Sequence, residues 1–107
     1  MIEVKKQGPI ITHDREVLQI VVSETIPPSQ IDEFNRLFPS TANRDAQFKR
    51  FKLDVQDRMR DAFYEKAREY TDYEIFDEVG EWGEYMGIDG LLLVGVFSLI
   101  QWREPEV

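Results

Sequence analysis

The chain has 107 residues, which is enough for one hydrophobic core and too few for two independent cores, so we expect a single domain over residues 1–107. Hydrophobic residues make up 42% and aromatic residues 12% of the chain, which excludes a disordered protein despite the formal net charge of -8. Because the chain contains no cysteine, a disulfide framework and a thiolate metal site are both excluded.

Two strands are predicted at the N-terminal end. Residues 2–6 (IEVKK) alternate weakly and stop at the turn signal QGP, which predicts a short edge strand. Residues 16–24 place Leu18, Ile20 and Val22 on one side of an extended chain, and their β-branched neighbours suit a pleated sheet. The alternative for this segment is a helix that starts at Thr12, since several of its apolar residues also share a helical face.

Two helices are predicted next. In PPSQIDEFNRLFP, the leading prolines, Ser29 as N-cap and Pro39 as a stop predict a helix over residues 29–38. A second helix is predicted from about residue 43 to residue 70, and at a rise of 1.5 Å per residue its length of about 42 Å should carry one end beyond the core. Its core-facing apolar stripe consists of Phe48, Phe51, Val55, Met59, Ala62, Phe63 and Tyr70.

The last third of the chain is predicted to contain one strand. TDYE at residues 71–74 fits a capping box and predicts a short third helix through Val79, and the four glycines between residues 80 and 90 predict a loop. Residues 90–102 are apolar on both faces of a strand, which predicts a central or near-central position and a cover on each side. We expect a second copy to complete one side and to shield Trp102 or Ile100, and we expect Gly95 to mark a bulge or a close backbone approach.

These elements together predict an α+β fold in which an antiparallel or mixed sheet packs against one short and one long amphipathic helix.

The negative charge is concentrated in the last third of the sequence. Residues 72–107 contain nine acidic residues and one basic residue, whereas residues 43–71 contain six acidic and eight basic residues. Aromatic side chains are interleaved with the acids. We therefore predict a partner-binding surface composed of Asp72, Glu74, Asp77, Glu78, Glu81, Trp82, Glu84 and Tyr85. The alternative is a solvated acidic segment that keeps an apolar strand from aggregating.

No pattern typical of a catalytic or cofactor site is present in the sequence. The glycines between residues 80 and 90 are not followed by a lysine, and the carboxylates around them would repel a phosphate. His13 is the only histidine, and the acids lack the spacing of a calcium-binding EF-hand. We therefore predict a protein that is not an enzyme and has no catalytic residues, no metal site and no cofactor.

Three functional hypotheses follow from these patterns. The first is a small acidic protein-binding module, an inhibitor or antagonist that covers a basic surface of a partner, such as a nucleic-acid-binding surface; immunity proteins and viral counter-defence proteins are of this type. The second is a homo-oligomeric structural or assembly component, for instance of a virus particle. The third is an enzyme that uses carboxylates, although no convergent site is visible.

The predicted partners are a basic protein surface and further copies of the chain. Direct nucleic-acid binding is disfavoured by the overall charge, although a basic cluster at Arg44, Lys49, Arg50 and Lys52 is suited to meet the acidic segment of a second copy.

Membrane insertion is disfavoured because the apolar run from Leu91 to Ile100 supplies half of the about 20 residues that a spanning helix needs. The N-terminal segment lacks the apolar run of a signal peptide, so we expect the cytoplasm, or a host cytoplasm for a viral protein.

Overall fold

A computed structural model describes residues 1–103; residues 104–107, including Glu104 and Glu106 of the acidic last third, lie outside it. The elements in chain order are β1 (Glu3–Ile11), β2 (Arg15–Ile26), α1 (Pro28–Leu37), α2 (Thr41–Ala67), β3 (Glu74–Gly87) and β4 (Gly90–Trp102). The strands form one sheet in the order β1-β2-β4-β3, and each neighbouring pair is antiparallel. This arrangement confirms the α+β fold and the antiparallel sheet.

The hydrophobic core lies between one face of the sheet and α2. Alternate residues of β2 and β4 are buried on that face, and Val55, Met59 and Phe63 of α2 are buried against them. The rings of Phe63 and Phe97 stack with their centroids 4.5 Å apart. Burial of each such side chain contributes about 1.5–3 kcal/mol. The predicted stripe from Phe48 to Phe63 is therefore confirmed as the core-facing side of α2. The helix ends at Ala67 rather than at residue 70, so Tyr70 packs against the core from the segment that follows it.

The ends of several elements differ from the prediction. Residues 16–24 lie within β2, so the strand is confirmed and the helical alternative is wrong. β1 continues to Ile11 through a register shift between Gln7 and Ile10, so QGP marks an irregularity within a strand rather than its end. α1 begins at Pro28 without a side-chain cap, one residue before the predicted N-cap Ser29, because proline needs no N–H partner in the first turn.

The N-terminal part of α2 projects beyond the core. Its buried residues begin only at Val55, and the molecule measures 66 × 23 × 20 Å. α1 packs against this projecting part, where the ring centroid of Phe34 lies 5.4 Å from that of Phe48 and 5.0 Å from that of Phe51. This aromatic contact extends the main core to the end of the molecule.

β3 is the main difference from the sequence prediction. The segment predicted as a short third helix and a glycine-rich loop forms a strand of 14 residues at the edge of the sheet, paired with β4. The helix through Val79 and the loop over residues 80–90 are therefore both wrong. Pairing with β4 overrides local propensity, because it satisfies the backbone hydrogen-bonding groups on the second side of β4. Gly87 and Gly90 pair across a two-residue hairpin turn within the predicted loop.

The helices cover only one face of the sheet. The opposite face, called the open face below, presents half-buried side chains that include Val21 of β2 and Val96 of β4, and the residues that pack on the core belong to the other side. β4 is thus near-central, as predicted, but only one of its sides has a cover. Ile100 is only 2% exposed without any second copy, whereas Trp102 is 58% exposed. Ile100 is therefore buried by its own chain, and the shielding of Trp102 by a neighbour stays a prediction.

Candidate functional site

The eight residues predicted to bind a partner lie along β3 and in the turn before it. Six of them are exposed, and Asp77 and Trp82 are half-buried. Glu74 and Glu81 pair with Ile100 and Val96 and so belong to the open face. Trp82 and Glu84 pair with Gly95 and Leu93 and lie on the helix-covered face. The strand therefore divides the predicted surface between two faces of the sheet.

Residues 77–81 form a bulge in β3. Asp77 pairs with Ser98 and Glu81 with Val96, so three residues of β3 lie opposite Phe97 alone. Asp77 Oδ1 accepts a hydrogen bond from the backbone N–H of Gly80 at 3.0 Å, and Trp82 Nε1 donates to the carbonyl oxygen of Val79 at 2.9 Å. Because the bulge interrupts the regular row of backbone groups, this edge is poorly suited to pairing with a further strand. Recognition along β3 must therefore rely on side chains.

Two of the predicted acids bind side chains of α2. The carboxylate of Glu78 accepts a hydrogen bond from the hydroxyl of Tyr64 at 3.0 Å, which raises the pKa of Tyr64. The carbonyl oxygen of Glu78 accepts a hydrogen bond from Arg60 Nε at 3.1 Å. Lys52 Nζ lies 3.1 Å from Glu84 Oε1. The basic cluster of α2 therefore meets the acidic segment of its own chain through Lys52.

Trp82 supports the core as well as the surface. Its ring packs edge-on against Phe97 with centroids 5.5 Å apart, and the guanidinium of Arg60 lies 5.9 Å from the indole. A Cβ atom at Gly95 would lie 2.8 Å from the indole, so the atoms that approach this glycine closely belong to a side chain rather than to another backbone, and the pairing with β2 has no bulge there. These contacts hold Trp82 within its own chain, and its role in binding a partner stays a prediction.

The unpaired acids of β3 and of the turn before it stand beside exposed apolar side chains. Within residues 1–103, neither Asp72, Glu74 nor Glu81 has a cationic group within 4.0 Å. Phe76 is 60% exposed and Val79 is 70% exposed on the same strand. These five residues are called the acidic edge below. Phe76 is one of the aromatic residues that the sequence interleaves with the acids, although it is not in the predicted set of eight. Val79 was not singled out from the sequence, because the helix predicted there gave no reason to expect it at a sheet edge.

A cleft of about 880 Å³ opens where the C-terminal end of α2 meets the start of β3. It is called the tyrosine cleft below, and its walls include Asp61, Tyr64, Tyr70, Tyr73, Ile75 and Leu99. The rings of Tyr70 and Tyr73 are nearly perpendicular, at 86°, with centroids 6.2 Å apart. The hydroxyl of Tyr73 donates a hydrogen bond of 2.8 Å to Glu16 Oε2, which raises the pKa of Tyr73 and fixes its ring.

The tyrosine cleft is chemically suited to a cationic side chain. The faces of aromatic rings attract ammonium and guanidinium groups, and Lys6 Nζ of the same chain already lies 5.9 Å from the ring centroid of Tyr70. Glu65 and Arg68 of the wall form an ion pair at 3.0 Å, so the carboxylate of Asp61 leaves the wall with net negative charge. Ile75 belongs both to this wall and to β3, so the cleft is continuous with the acidic edge. Sequence reasoning missed the cleft because its residues come from α2, the following turn and two strands, and only the fold brings them together.

Within the described part of the chain, no three His, Asp or Glu side chains are grouped as a metal ion would require. No helix there has the length and the apolar composition needed to cross a membrane. Comparisons of the chain with protein-family models, with curated proteins and with solved structures find no match.

Proposed function

We propose that this protein is a small acidic binding module that attaches to a basic surface of another protein through the acidic edge and the tyrosine cleft. One observation carries the proposal: the carboxylates of Glu74 and Glu81, which have no cationic partner within residues 1–103, flank the exposed Phe76 and Val79 on the same edge strand. The carboxylates would speed the encounter with a cationic partner, and the apolar side chains would slow its dissociation. A purely solubilising segment has no need of exposed Phe76 and Val79.

In this proposal the tyrosine cleft receives a Lys or Arg side chain of the partner. The apolar stem of that side chain would lie against Ile75 and Leu99, while its charged group would approach Asp61 and the tyrosine faces. Side chains that enter a pocket at an interface usually contribute most of the binding free energy. The cleft would therefore act as the anchor, and the acidic edge would orient the partner along β3.

We extend this proposal to an inhibitor or antagonist that acts in the cytoplasm. Clustered Lys and Arg side chains on a protein surface commonly bind the phosphate backbone of nucleic acids. A strand that presents carboxylates and aromatic rings would compete for the same cations. Immunity proteins and viral counter-defence proteins are the classes that this mode of action fits, and a protein without enzymatic activity suffices for it.

A double charge reversal tests the proposal. Asp61→Lys with Asp72→Lys changes one carboxylate of the cleft wall and one of the acidic edge, both of them exposed. We expect this variant to weaken binding of a synthetic peptide composed of Lys, Arg and Leu by about tenfold or more, mainly through slower association. Biolayer interferometry at increasing NaCl concentration would measure it, and binding by the parent protein should weaken as salt rises.

The matched control reverses two exposed acids of the helices, Asp32→Lys with Asp54→Lys. It changes the formal net charge of -8 by the same amount as the test variant does. We expect it to retain most of the affinity, because the two charges lie away from the acidic edge. Equal losses in the two variants would mean that the peptide senses only net charge, and the acidic segment would then have no more than a solubilising role.

Phe76→Ala tests the apolar part of the acidic edge. Because Phe76 is largely exposed, its removal should leave the melting temperature nearly unchanged. We expect faster dissociation of the same peptide and a loss on the order of 1–2 kcal/mol of binding free energy. An unchanged dissociation rate would exclude Phe76 as a contact residue.

A second candidate function, a homo-oligomeric structural or assembly component such as a subunit of a virus particle, is favoured by the open face. Val17 and Val21 of β2 and Leu92, Val94 and Val96 of β4 lie half-buried on that face among polar residues of β2, and no helix within residues 1–103 covers them. Partly exposed apolar side chains grouped on a sheet face commonly mark a site of association. The two candidates share Glu74 and Glu81, which belong both to the acidic edge and to the open face. Asp61 and Asp72 belong only to the first candidate and Val96 only to the second, so each can still be tested separately.

A further inference from the structure

We infer that a second copy of the same chain covers the open face. The two copies are related by a twofold axis that lies between their sheets, runs parallel to the strands and passes over the midline between β2 and β4. This inference deepens the second candidate function, on which it rests, and it shares Glu81 with the surface of the first. It specifies which residues of the two sheets face each other, taken as rows of paired residues that run across the four strands.

The edges of the sheet leave face-to-face packing as the favoured mode of self-association. β1 is interrupted by the register shift between Gln7 and Ile10, where Gly8 has a φ of 99°. β3 is interrupted by the bulge at residues 77–81. Interrupted edges of this kind hinder the addition of strands from another molecule. The apolar centre of the open face is therefore the surface on which a second copy gains the most by packing.

One row across the open face is complementary to itself. Lys5 of β1 pairs with Val21 of β2, Val21 pairs with Val96 of β4, and Val96 pairs with Glu81 of β3. The row therefore reads base, valine, valine, acid. Rotation about an axis parallel to the strands reverses the row while keeping its position along them. Lys5 of each copy then faces Glu81 of the other, and Val21 faces Val96.

Two further rows are complementary in the same arrangement. Gln7, Gln19, Ser98 and Asp77 follow one another across the sheet. Reversal places Gln7 opposite Asp77 and Gln19 opposite Ser98, which brings hydrogen-bond donors to acceptors. Arg15 pairs with Trp102, and its guanidinium lies 5.9 Å from the indole ring. Reversal places Arg15 of each copy over Trp102 of the other, so the exposed indole would be covered by a cation.

The size and the charge of the open face fit a second copy. Four strands at a spacing of about 4.8 Å and about 12 residues of length at 3.3 Å give about 750 Å² per copy, close to the area that each partner buries in a stable interface. Packed sheets lie about 10 Å apart and align within about 30°, so long side chains at the rim still reach across. The charged side chains of this face are of both signs, Lys5 and Arg15 against Glu3, Glu74, Asp77 and Glu81, so a second copy offers an acidic partner to each cation.

Charge exchange between Lys5 and Glu81 tests the inference. In one chain these residues lie on opposite edge strands, about 14 Å apart at three strand spacings, so they cannot form a direct ion pair. We expect a parent dimer with twice the mass of 12.6 kDa in sedimentation equilibrium. Lys5→Glu and Glu81→Lys should each raise the dissociation constant by about tenfold, and the double variant should restore it to within about threefold.

A second variant probes the centre of the interface. Val96→Glu should abolish the dimer because two carboxylates would be buried against apolar side chains, whereas the control Leu53→Glu, on the exposed side of α2, should leave the mass unchanged. Circular dichroism would verify folding of both variants, and the charge exchange needs only exposed positions. A parent chain that stays monomeric at about 100 µM overturns the inference, since interfaces of this size associate at lower concentration. The inference is likewise overturned if the double variant Lys5→Glu with Glu81→Lys dimerises no more tightly than either single variant.

The outcome is separable from that of the first candidate function. Asp61 and Asp72 lie outside the strands of the open face, so their reversal should leave the dimer intact. A protein that dimerises but does not bind the basic peptide contradicts only the first candidate. A monomer that binds the peptide contradicts only the second candidate and the arrangement inferred here.

Discussion

Replacement of Val55 by Asp is expected to unfold the protein. Val55 is 2% exposed and lies in the stripe of α2 that packs against β2 and β4. The substitution would place a carboxylate among apolar side chains with no cation to pair with it, at a cost of about 4 kcal/mol or more. A domain of this size has a total stability on the order of 5–10 kcal/mol. Thermal unfolding followed by circular dichroism should show a loss of most of the helical signal at 25 °C or a large fall in the melting temperature.

Leu53→Asp is the matched control for this change. Leu53 lies two residues earlier on the same helix and is 52% exposed, so the new carboxylate would remain in water. We expect a change in the free energy of unfolding of about 0.5 kcal/mol. Similar melting curves for the two variants would show that the buried stripe of α2 has been assigned to the wrong face.

Replacement of Gly90 by Ala is the second change with a large expected effect. Gly90 starts β4 with a φ of 117°, in the region that favours glycine, and an added Cβ would overlap the carbonyl oxygen of Ile26. That oxygen belongs to the backbone of β2, which pairs with β4 through Ile26 and Leu91, so it cannot move without disturbing the sheet. We expect a loss of about 3 kcal/mol or more in the free energy of unfolding, measured by urea denaturation.

Gly87→Ala provides the comparison, because Gly87 is the hairpin partner of Gly90. Within the described residues no heavy atom lies within 4 Å of a Cβ built at Gly87, and its φ is not in the left-handed region. An alanine there should be neutral or should stabilise by about 0.5 kcal/mol, since it restricts the unfolded chain. Equal destabilisation by the two substitutions would contradict the turn geometry described for the hairpin.

Local patterns predicted the elements whose own side chains form the core. The stripe on α2 repeats with the helical period, and the alternation in β2 and β4 has the period of a strand, so each pattern shows which face is buried. β3 carries no such pattern, because it is an edge strand with exposed residues at most positions. Its glycines and acids favour a turn or loop locally, and pairing with β4 overrides that preference.

The sequence by itself determined the concentration of acids in the last third, the doubly apolar strand at residues 90–102 and the core-facing stripe of the long helix. Each of these depends only on the order of side chains along one segment. The tertiary structure decided which acids are unpaired, since Glu84 reaches Lys52 and Glu78 reaches Tyr64 across the fold. It also assembles the tyrosine cleft and the complementary rows of the open face. Their residues are distant in the chain, and strand register and the packing of α2, which no local pattern encodes, bring them together.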